Sequence, residues 1–246
     1  MVRCPVCGTM HHQTVVDLHH QPLALSFEGK VSDSLKIPLF PLKLLRCYRC
    51  NHIFVNTIAA PKAKPPKQSD TSKHSNIKHF KYFAEKIINE VIPLNGTLNK
   101  SRKRSILELS CNDGSQLDQF RAIGWDTYGV DPVAKVVSTA TAKGHKVEVG
   151  NWGSQKFKHI PSPNLLDVIL AHNVIAYILN PITFLTSCME IMGPTSKLYI
   201  QTSQCNMFQT GQFDTAYHEH TSFFTGHSFY YAAASDWKFR SGPSTP

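Results

Sequence analysis

Nowhere in its 246 residues does the chain hold an apolar run approaching the ~18 residues that span a bilayer. Its opening stretch, MVRCPVCGTMHH, lacks the apolar core of a secretory signal, so the expectation is a cytoplasmic protein without membrane contact. Acidic residues are scarce, 17 Asp and Glu against 26 Lys and Arg, for a formal net charge of +9. That excess admits either a nucleic-acid partner or a polyanionic small substrate such as a nucleotide diphosphate. Much of it sits in PKAKPPK (61–67) and NKSRKR (99–104), which read as solvated linkers rather than recognition surfaces. No internal repeat is visible. The cysteine count is odd, seven in all, which argues against a disulfide framework in a chain with no secretory signal. A hydrophobic content of 41% with 10% aromatics excludes disorder of the whole chain.

The organisation that remains is tripartite. Residues 1–56 carry four of the cysteines and short β-like runs, LKLLRC and HIFVN. Residues 57–75, rich in proline and lysine, read as a linker or substrate-side loop. From residue 76 to 246 the pattern becomes regular. Ile77, Phe80, Phe83, Ala84, Ile87, Ile88 and Val91 recur at helical spacing, ended by Pro93 and Gly96. Strands at SILELS, DTYGVD, HKVEVG, LLDVILAH and KLYIQTS then alternate with helices at GSQLDQFRAIG, PVAKVVSTATAKG and PITFLTSCMEIMG. Such alternation predicts an α/β fold, a Rossmann-like, mostly parallel sheet with helices on both faces. SDWKFR (235–240) is the candidate sixth strand.

Three clusters carry chemistry. Cys4-x-x-Cys7 and Cys47-x-x-Cys50, 39 residues apart, are two knuckles that complete a closed tetrahedral Cys4 site, the structural Zn2+ arrangement. A thioredoxin-like redox pair competes for either motif alone, and His11, His12, His19 and His20 read as loop residues beside a saturated ion. In the middle, the first strand ends in ELSCNDGS and the second in Asp131, 17 residues after Gly114. In a doubly wound sheet ligands sit at the carboxyl ends of the strands, so small residues in the first turn and a carboxylate on strand two suit an adenosine-containing cofactor. G-x-G-x-x-G is absent, and an ordinary turn that binds nothing is the alternative. Trp152, after the third strand, is either an adenine neighbour or a core or surface tryptophan. Finally, DTAYHEHTSFF concentrates Tyr217, His218, Glu219 and His220, a run expensive to bury and unnecessary on a surface. It reads as a proton-transfer site or a satisfied structural cluster. As a zinc motif it matches the helical H-E-x-x-H pattern poorly.

The turn ELSCNDG resembles the first motif of class I S-adenosylmethionine-dependent methyltransferases, E/D-x-G-x-G-x-G, with Glu108, Ser110, Asn112 and Gly114 at its positions. Taken in order, CPVCG, QPLALSF with IPLFPLKLLRCYRC, SDTSKHSNIKHFKYFAEKI, ILELSCNDGSQLDQF, YGVDP, AHNVIAYI and FDTAYHEHTSFF resemble the zinc-domain-containing sugar C-methyltransferases that act on nucleotide-linked keto-deoxysugars. The resemblance runs from residue 4 to about residue 240.

It implies a class I methyltransferase sheet with a small N-terminal zinc-binding module, S-adenosyl-L-methionine and structural Zn2+ as cofactors, and a nucleotide-sugar as small-molecule substrate. It implies Tyr217, Glu219 and His220 as the functional trio, His220 being the base. Glu219 would hold the imidazole or its charge, Tyr217 would donate to an enolate oxygen, and Asn173 would face cofactor or substrate. The chain departs from the family in three respects. KPPKQ before Ser69 lacks the usual tyrosines, Tyr177 stands where the family has histidine, and the family's further C-terminal domain is missing. The expectation is therefore a fragment, a truncated reading frame, or a protein that meets a partner at the unpaired sheet edge. The competing expectations are a zinc-ribbon RNA methyltransferase and a truncated relative that binds cofactor without catalysis.

Overall fold

Backbone contacts in the computed structural model divide the chain into two units, and the division is not linear in sequence. One unit takes Met1–Gln68, Ile175–Leu185 and Thr202–Pro246; the other takes Ser69–Val174 and Thr186–Gln201. The structure describes residues 2–24, 29–56, 74–94, 102–161, 165–202, 211 and 216–236. Most of the proposed 57–75 loop, with its KPPKQ stretch, lies outside these. The sequence segments 1–56 and 76–246 therefore do not coincide with the compact units, because a late segment joins the early strands.

The first unit is built on an antiparallel sheet in the order β1 (His12–Pro22), β2 (Leu39–Cys47), β3 (Ile53–Val55) and β9 (Ser222–Phe223). A short helix, α1 (Val31–Ser34), lies between β1 and β2. β2 turns Leu42 and Leu44 into a core with Val55, Ala216 and Phe223, against which Val16, Leu18 and Ile53 pack. β1 was not expected from the sequence. Most of its positions are exposed or half-buried and its register against β2 is irregular after Thr14 and after Asp17, so it carries no clean alternation of apolar residues. β9 sets the register of the late segment, Phe223 opposite Ile53 and Ser222 opposite Phe54. Beneath it the fully buried His52 bridges Ser222 Oγ (3.2 Å) and Ser228 Oγ (3.4 Å) and stacks on Phe54.

Helix α6 (Gly226–Asp236) follows, opened by a reciprocal cap. The Ser228 amide donates to Thr225 Oγ1 (3.0 Å) and the Thr225 amide to Ser228 Oγ (2.9 Å). Ser235 and Asp236 thus close a helix instead of opening the expected sixth strand, and 237–240 fall outside the described residues.

The second unit holds a five-stranded, wholly parallel sheet. Its strands are β4 (Ser105–Leu109), β5 (Asp126–Asp131), β6 (Lys146–Val149), β7 (Val168–His172) and β8 (Lys197–Gln201), in the order β6-β5-β4-β7-β8. The chain runs outward from β4 to β6, then crosses back to β7, so the switch in strand order lies between β4 and β7. Every β4 residue is buried, as a central parallel strand requires. Helix α2 (His74–Leu94) places Ala84, Ile87 and Val91 on Ile106, Val168 and Leu170, which is the face its periodicity predicts. α3 (Leu117–Arg121) and α4 (Ala134–Ala142) fill the β4–β5 and β5–β6 crossovers, and α5 (Pro181–Glu190) precedes β8.

The basic run before β4 is not merely solvated. Arg102 donates to Asp167 at 2.9 Å, Arg104 lies 3.7 Å from the same oxygen, and the Ser105 amide donates to the other at 2.8 Å. Those contacts pin the amino end of β4 to β7. Among the described residues no helix is long and apolar enough to cross a membrane.

Candidate active site and metal centre

The cofactor turn is governed by backbone sign. Leaving β4, Ser110, Asn112 and Gly114 have φ of 60°, 50° and 78°, alternate positions in the left-handed region that favours glycine. These are the three positions at which the aligned motif calls for glycine. The geometry therefore survives two replacements, one of them by asparagine, which tolerates this region comparatively well. At position 114 no side chain would fit. A Cβ there would lie 2.6 Å from Cδ2 of His145, whose buried ring is fixed by Thr127 Oγ1 (2.8 Å) and Asp118 Oδ1 (3.0 Å). Lys143 adds contacts to Ser115 and Asp118 at 3.2 Å each and to Asp113 at 3.6 Å. This Asp118–His145–Thr127 buttress was not singled out from sequence, because its members come from α3, β5 and the turn before β6 and share no local motif.

Asp131 closes the turn from β5. One carboxylate oxygen accepts from the Asn112 amide (3.0 Å) and lies 3.4 Å from Ser110 Oγ, while the other accepts from the Val133 amide (2.9 Å). A carboxylate has about four acceptor positions, so hydroxyls of a ribose can still be taken. Glu108, beside it on β4, is buried with Oε2 unpartnered. Burial, then Asp113 and Asp131, hold its carboxyl well above the usual range. A buried acidic acceptor next to an open-backbone turn and a strand-two carboxylate fits a nucleoside bearing a cationic amino-acid tail.

The other cofactor candidates are placed differently. Trp152 stacks on Phe157 at 5.7 Å, and its buried indole N–H has no hydrogen bond of ordinary geometry. It lies near the Cys188 thiol, which burial pushes up to about 12 against the indole's opposing influence. That is a packed position, in keeping with the core alternative. Asn173 is exposed at the carboxyl end of β7, left-handed at φ 55°, its amide donating to Gln201 O at 2.8 Å. Next to it, His172 meets His79 of α2, Nε2 to Nε2 at 3.3 Å, and burial with that neighbour lowers His172 to about 4. Sequence inspection passed over this pair because the two residues lie on elements far apart in the chain.

In the first unit, Tyr217 to His220 form a turn closed by the His220 amide on Tyr217 O (3.1 Å) and leading into β9. His220 is 4% exposed. Its ring lies edge-on to Phe223 at 4.2 Å and beside the rings of Tyr217 and Tyr177, each at 5.5 Å, which are themselves 6.4 Å apart. Burial lowers it to about 4, so at neutral pH the imidazole carries no charge. The Tyr177 and Tyr217 hydroxyls are 2.7 Å apart. Burial, that hydrogen bond and the charge of Glu219 push the Tyr217 phenol well above its ordinary value. His218 points away, Nε2 to the Phe40 carbonyl at 3.2 Å, which is a structural position. Glu219 does not hold His220. Its buried Oε2 and the buried Nδ1 of His220 both lack hydrogen-bond partners, because adjacent residues of a tight turn project in different directions.

The four paired cysteines converge. Sγ of Cys4 is 3.6 Å from that of Cys50, Sγ of Cys7 is 3.4 Å from that of Cys47, and all four lie within 4.8 Å of one another. Zn–S bonds of ~2.3 Å in a tetrahedron place sulfurs ~3.8 Å apart, so the set fits a closed structural zinc site. Each knuckle ends in a left-handed residue, Gly8 (φ 71°) and Asn51 (φ 55°), that turns the chain back. His12 instead meets the Val2 carbonyl at 3.2 Å and Phe54.

Comparison with known proteins gives a consistent frame. Residues 77–235 match the family model described as "Methyltransferase domain", and residues 4–63 the one described as "Putative zinc binding domain". The chain is 23% identical over 226 residues to the C-methyltransferase NovU of Streptomyces niveus, covering 90% of this chain and 52% of NovU. It thus spans about half the length of that relative. A ubiquinone biosynthesis O-methyltransferase of Rhodopseudomonas palustris (strain TIE-1) is 24% identical over 102 residues, 41% of this chain and 40% of that protein. Among solved structures, the plantazolicin methyltransferase BpumL in complex with SAH superposes with a TM-score of 0.49 at 18% identity, covering 69% of this chain and 72% of that one.

Proposed function

The chain belongs to the S-adenosylmethionine-dependent methyltransferases, and from that premise we propose that it methylates a carbon alpha to a ketone in a nucleotide-linked deoxysugar, with His220 as the base. One observation carries the reading: a buried, uncharged imidazole beside a hydrogen-bonded pair of phenols. The carbon must first be made nucleophilic. Removing its proton requires a base that is unprotonated at working pH, and a hydroxyl donor to take up charge on the carbonyl oxygen. The bound donor supplies an electrophilic methyl on a sulfonium. Asp131 and the 110–114 turn hold its nucleoside, and Glu108 is the acidic acceptor for its cationic tail. The likeness to NovU supports carbon as the methyl acceptor, and the net charge of +9 suits a diphosphate-bearing substrate. The RNA reading weakens because Arg102 and Arg104 are engaged with Asp167.

The test is single-turnover methyl transfer to a panel of nucleotide-linked keto-sugars, paired with calorimetric titration of S-adenosylhomocysteine. His220→Ala is expected to bind S-adenosylhomocysteine as the parent does and to transfer no methyl. Asp131→Ala is expected to lose about 1–3 kcal/mol of that affinity. Transfer that persists in His220→Ala removes it as the base. Tight binding with no sugar consumed favours a protein that binds cofactor without catalysis.

A further inference from the structure

Tyr177, which the sequence motifs did not single out as a site residue, has a defined setting in the structure. Thr221 Oγ1 donates to the carbonyls of Ala176 (3.1 Å) and Ile178 (3.3 Å), and the Thr221 carbonyl accepts from the Val55 amide at 3.0 Å. The single 3-10 turn Ile175–Tyr177 is thereby stapled to the residue that follows His220. The staple brings the Tyr177 and Tyr217 hydroxyls to 2.7 Å and sets the Tyr177 ring 5.5 Å from His220, edge-on. Two hydroxyls this close share one of their two protons and leave the other to be donated outward.

Tyr217 is the inner member. It is half-buried and strongly disposed to keep its proton, whereas Tyr177 is 44% exposed. With the inner hydroxyl turned to donate to the outer one, the exposed Tyr177 keeps its own proton free for a ligand, and a hydroxyl that accepts a hydrogen bond becomes a stronger donor itself. Resting on the reading above, we propose that Tyr177 is the group that donates to the substrate's carbonyl oxygen during proton removal, with Tyr217 behind it as its polarising partner. The α C–H bond breaks and its proton passes to a ring nitrogen of His220. The electron pair becomes a carbon–carbon π bond, and the carbonyl oxygen gains a negative charge that the Tyr177 hydroxyl stabilises. In deuterated buffer the reverse step returns a deuteron, so this half-reaction is observable without methyl donor.

The experiment follows deuterium incorporation into a nucleoside-diphosphate-linked keto-deoxyhexose by NMR, with the zinc-loaded full chain and no donor. Tyr177→Phe is expected to slow exchange on the order of 100-fold while leaving the sugar nucleotide's KM within about three-fold. Tyr217→Phe should lose less, and Tyr177→His, which restores an N–H donor, should recover most of the rate. Circular dichroism confirms folding of each variant, and position 177 is exposed enough to accept phenylalanine. Exchange that is normal in Tyr177→Phe but absent in His220→Ala overturns this inference and leaves the base assignment standing. A larger loss in Tyr217→Phe than in Tyr177→Phe also overturns it, by reversing the order of the two hydroxyls. No exchange in the parent chain sinks both this inference and the C-methylation reading.

Discussion

Gly114→Ala tests the construction of the cofactor turn without reference to any ligand. Two costs are legible. An L-residue at φ 78° pays roughly 1–2 kcal/mol for the left-handed conformation. The new methyl would also sit 2.6 Å from Cδ2 and 3.0 Å from Nε2 of His145. Ordinary contact begins near 3.4 Å, so the ring must retreat by about 0.8 Å. It cannot do so freely, because Thr127 and Asp118 hold both of its nitrogens. Losing the Asp118 bond, one to a charged group, costs about 1.5–3 kcal/mol.

The expected destabilisation of the turn is therefore about 2.5–5 kcal/mol, a large part of the 5–15 kcal/mol that typically holds a domain together. Denaturant titration followed through the fluorescence of Trp125, which lies in the same unit, measures it. The decisive arm is the double-mutant cycle. In a His145→Ala background the obstructing ring is gone, so Gly114→Ala should cost only the backbone share, roughly 1–2 kcal/mol. A cost that is the same within about 0.5 kcal/mol in both backgrounds would refute the steric argument and the placement of His145 under the turn.

Three further outcomes follow from the same geometry. Cys47→Ser should drop bound zinc from one per chain to none by metal analysis and abolish the folding transition of the first unit, since the metal replaces core that so small a sheet lacks; full zinc content in this variant contradicts a four-thiolate site. Glu108 keeps its proton to higher pH in the fold than in the unfolded chain, so its own contribution to the stability of the ligand-free protein is fully present below the ordinary carboxyl value of ~4.3 and is lost as pH rises through the folded value. Glu108→Gln should remove that decline in denaturation series, and an unaltered slope rules out Glu108 as its source. For His220, lowered to about 4, the α-proton exchange rate should stay level from neutral pH down through the ordinary histidine range and fall only near pH 4, where the imidazole protonates. A fall centred on the usual ~6.5 shows an imidazole that burial has not perturbed.

The parallel sheet was legible because its strands are short apolar runs punctuated by glycine and proline, and because α2 repeats Ala84, Ile87 and Val91 on one face. What escaped is what sequence periodicity does not encode. β1 is too exposed to alternate, and β9 spans two residues. The sharing of Asp167 among Arg102, Arg104 and Ser105 depends on β7 lying beside β4, so a basic run that reads as solvated becomes an anchor. At the candidate base, the hydrogen-bond partnerships differ from those that adjacency in sequence suggests. Glu219 is next to His220 in sequence and makes no bond to it, whereas Tyr177, forty residues away from Tyr217, does pair with that residue.

Ser110 and Asn112 show why a motif weakened at the level of letters can remain intact at the level of backbone. The turn requires a positive φ at alternate positions so that the chain can leave β4, present its backbone to a ligand and enter α3. Glycine meets that requirement without steric cost, but it is not the only residue that can. Asparagine adopts the region readily, and Ser110 is held there with its hydroxyl near the same Asp131 oxygen that accepts the Asn112 amide. Only at 114, where His145 leaves no room for a Cβ, is the requirement absolute. The glycine that survives is therefore the one with a second, steric reason to be glycine, and the two that were replaced are those whose conformation a strand-two carboxylate can hold. The same carboxylate thereby becomes a structural part of the turn as well as a candidate ribose acceptor, so its loss should disturb the folded turn and the cofactor affinity together.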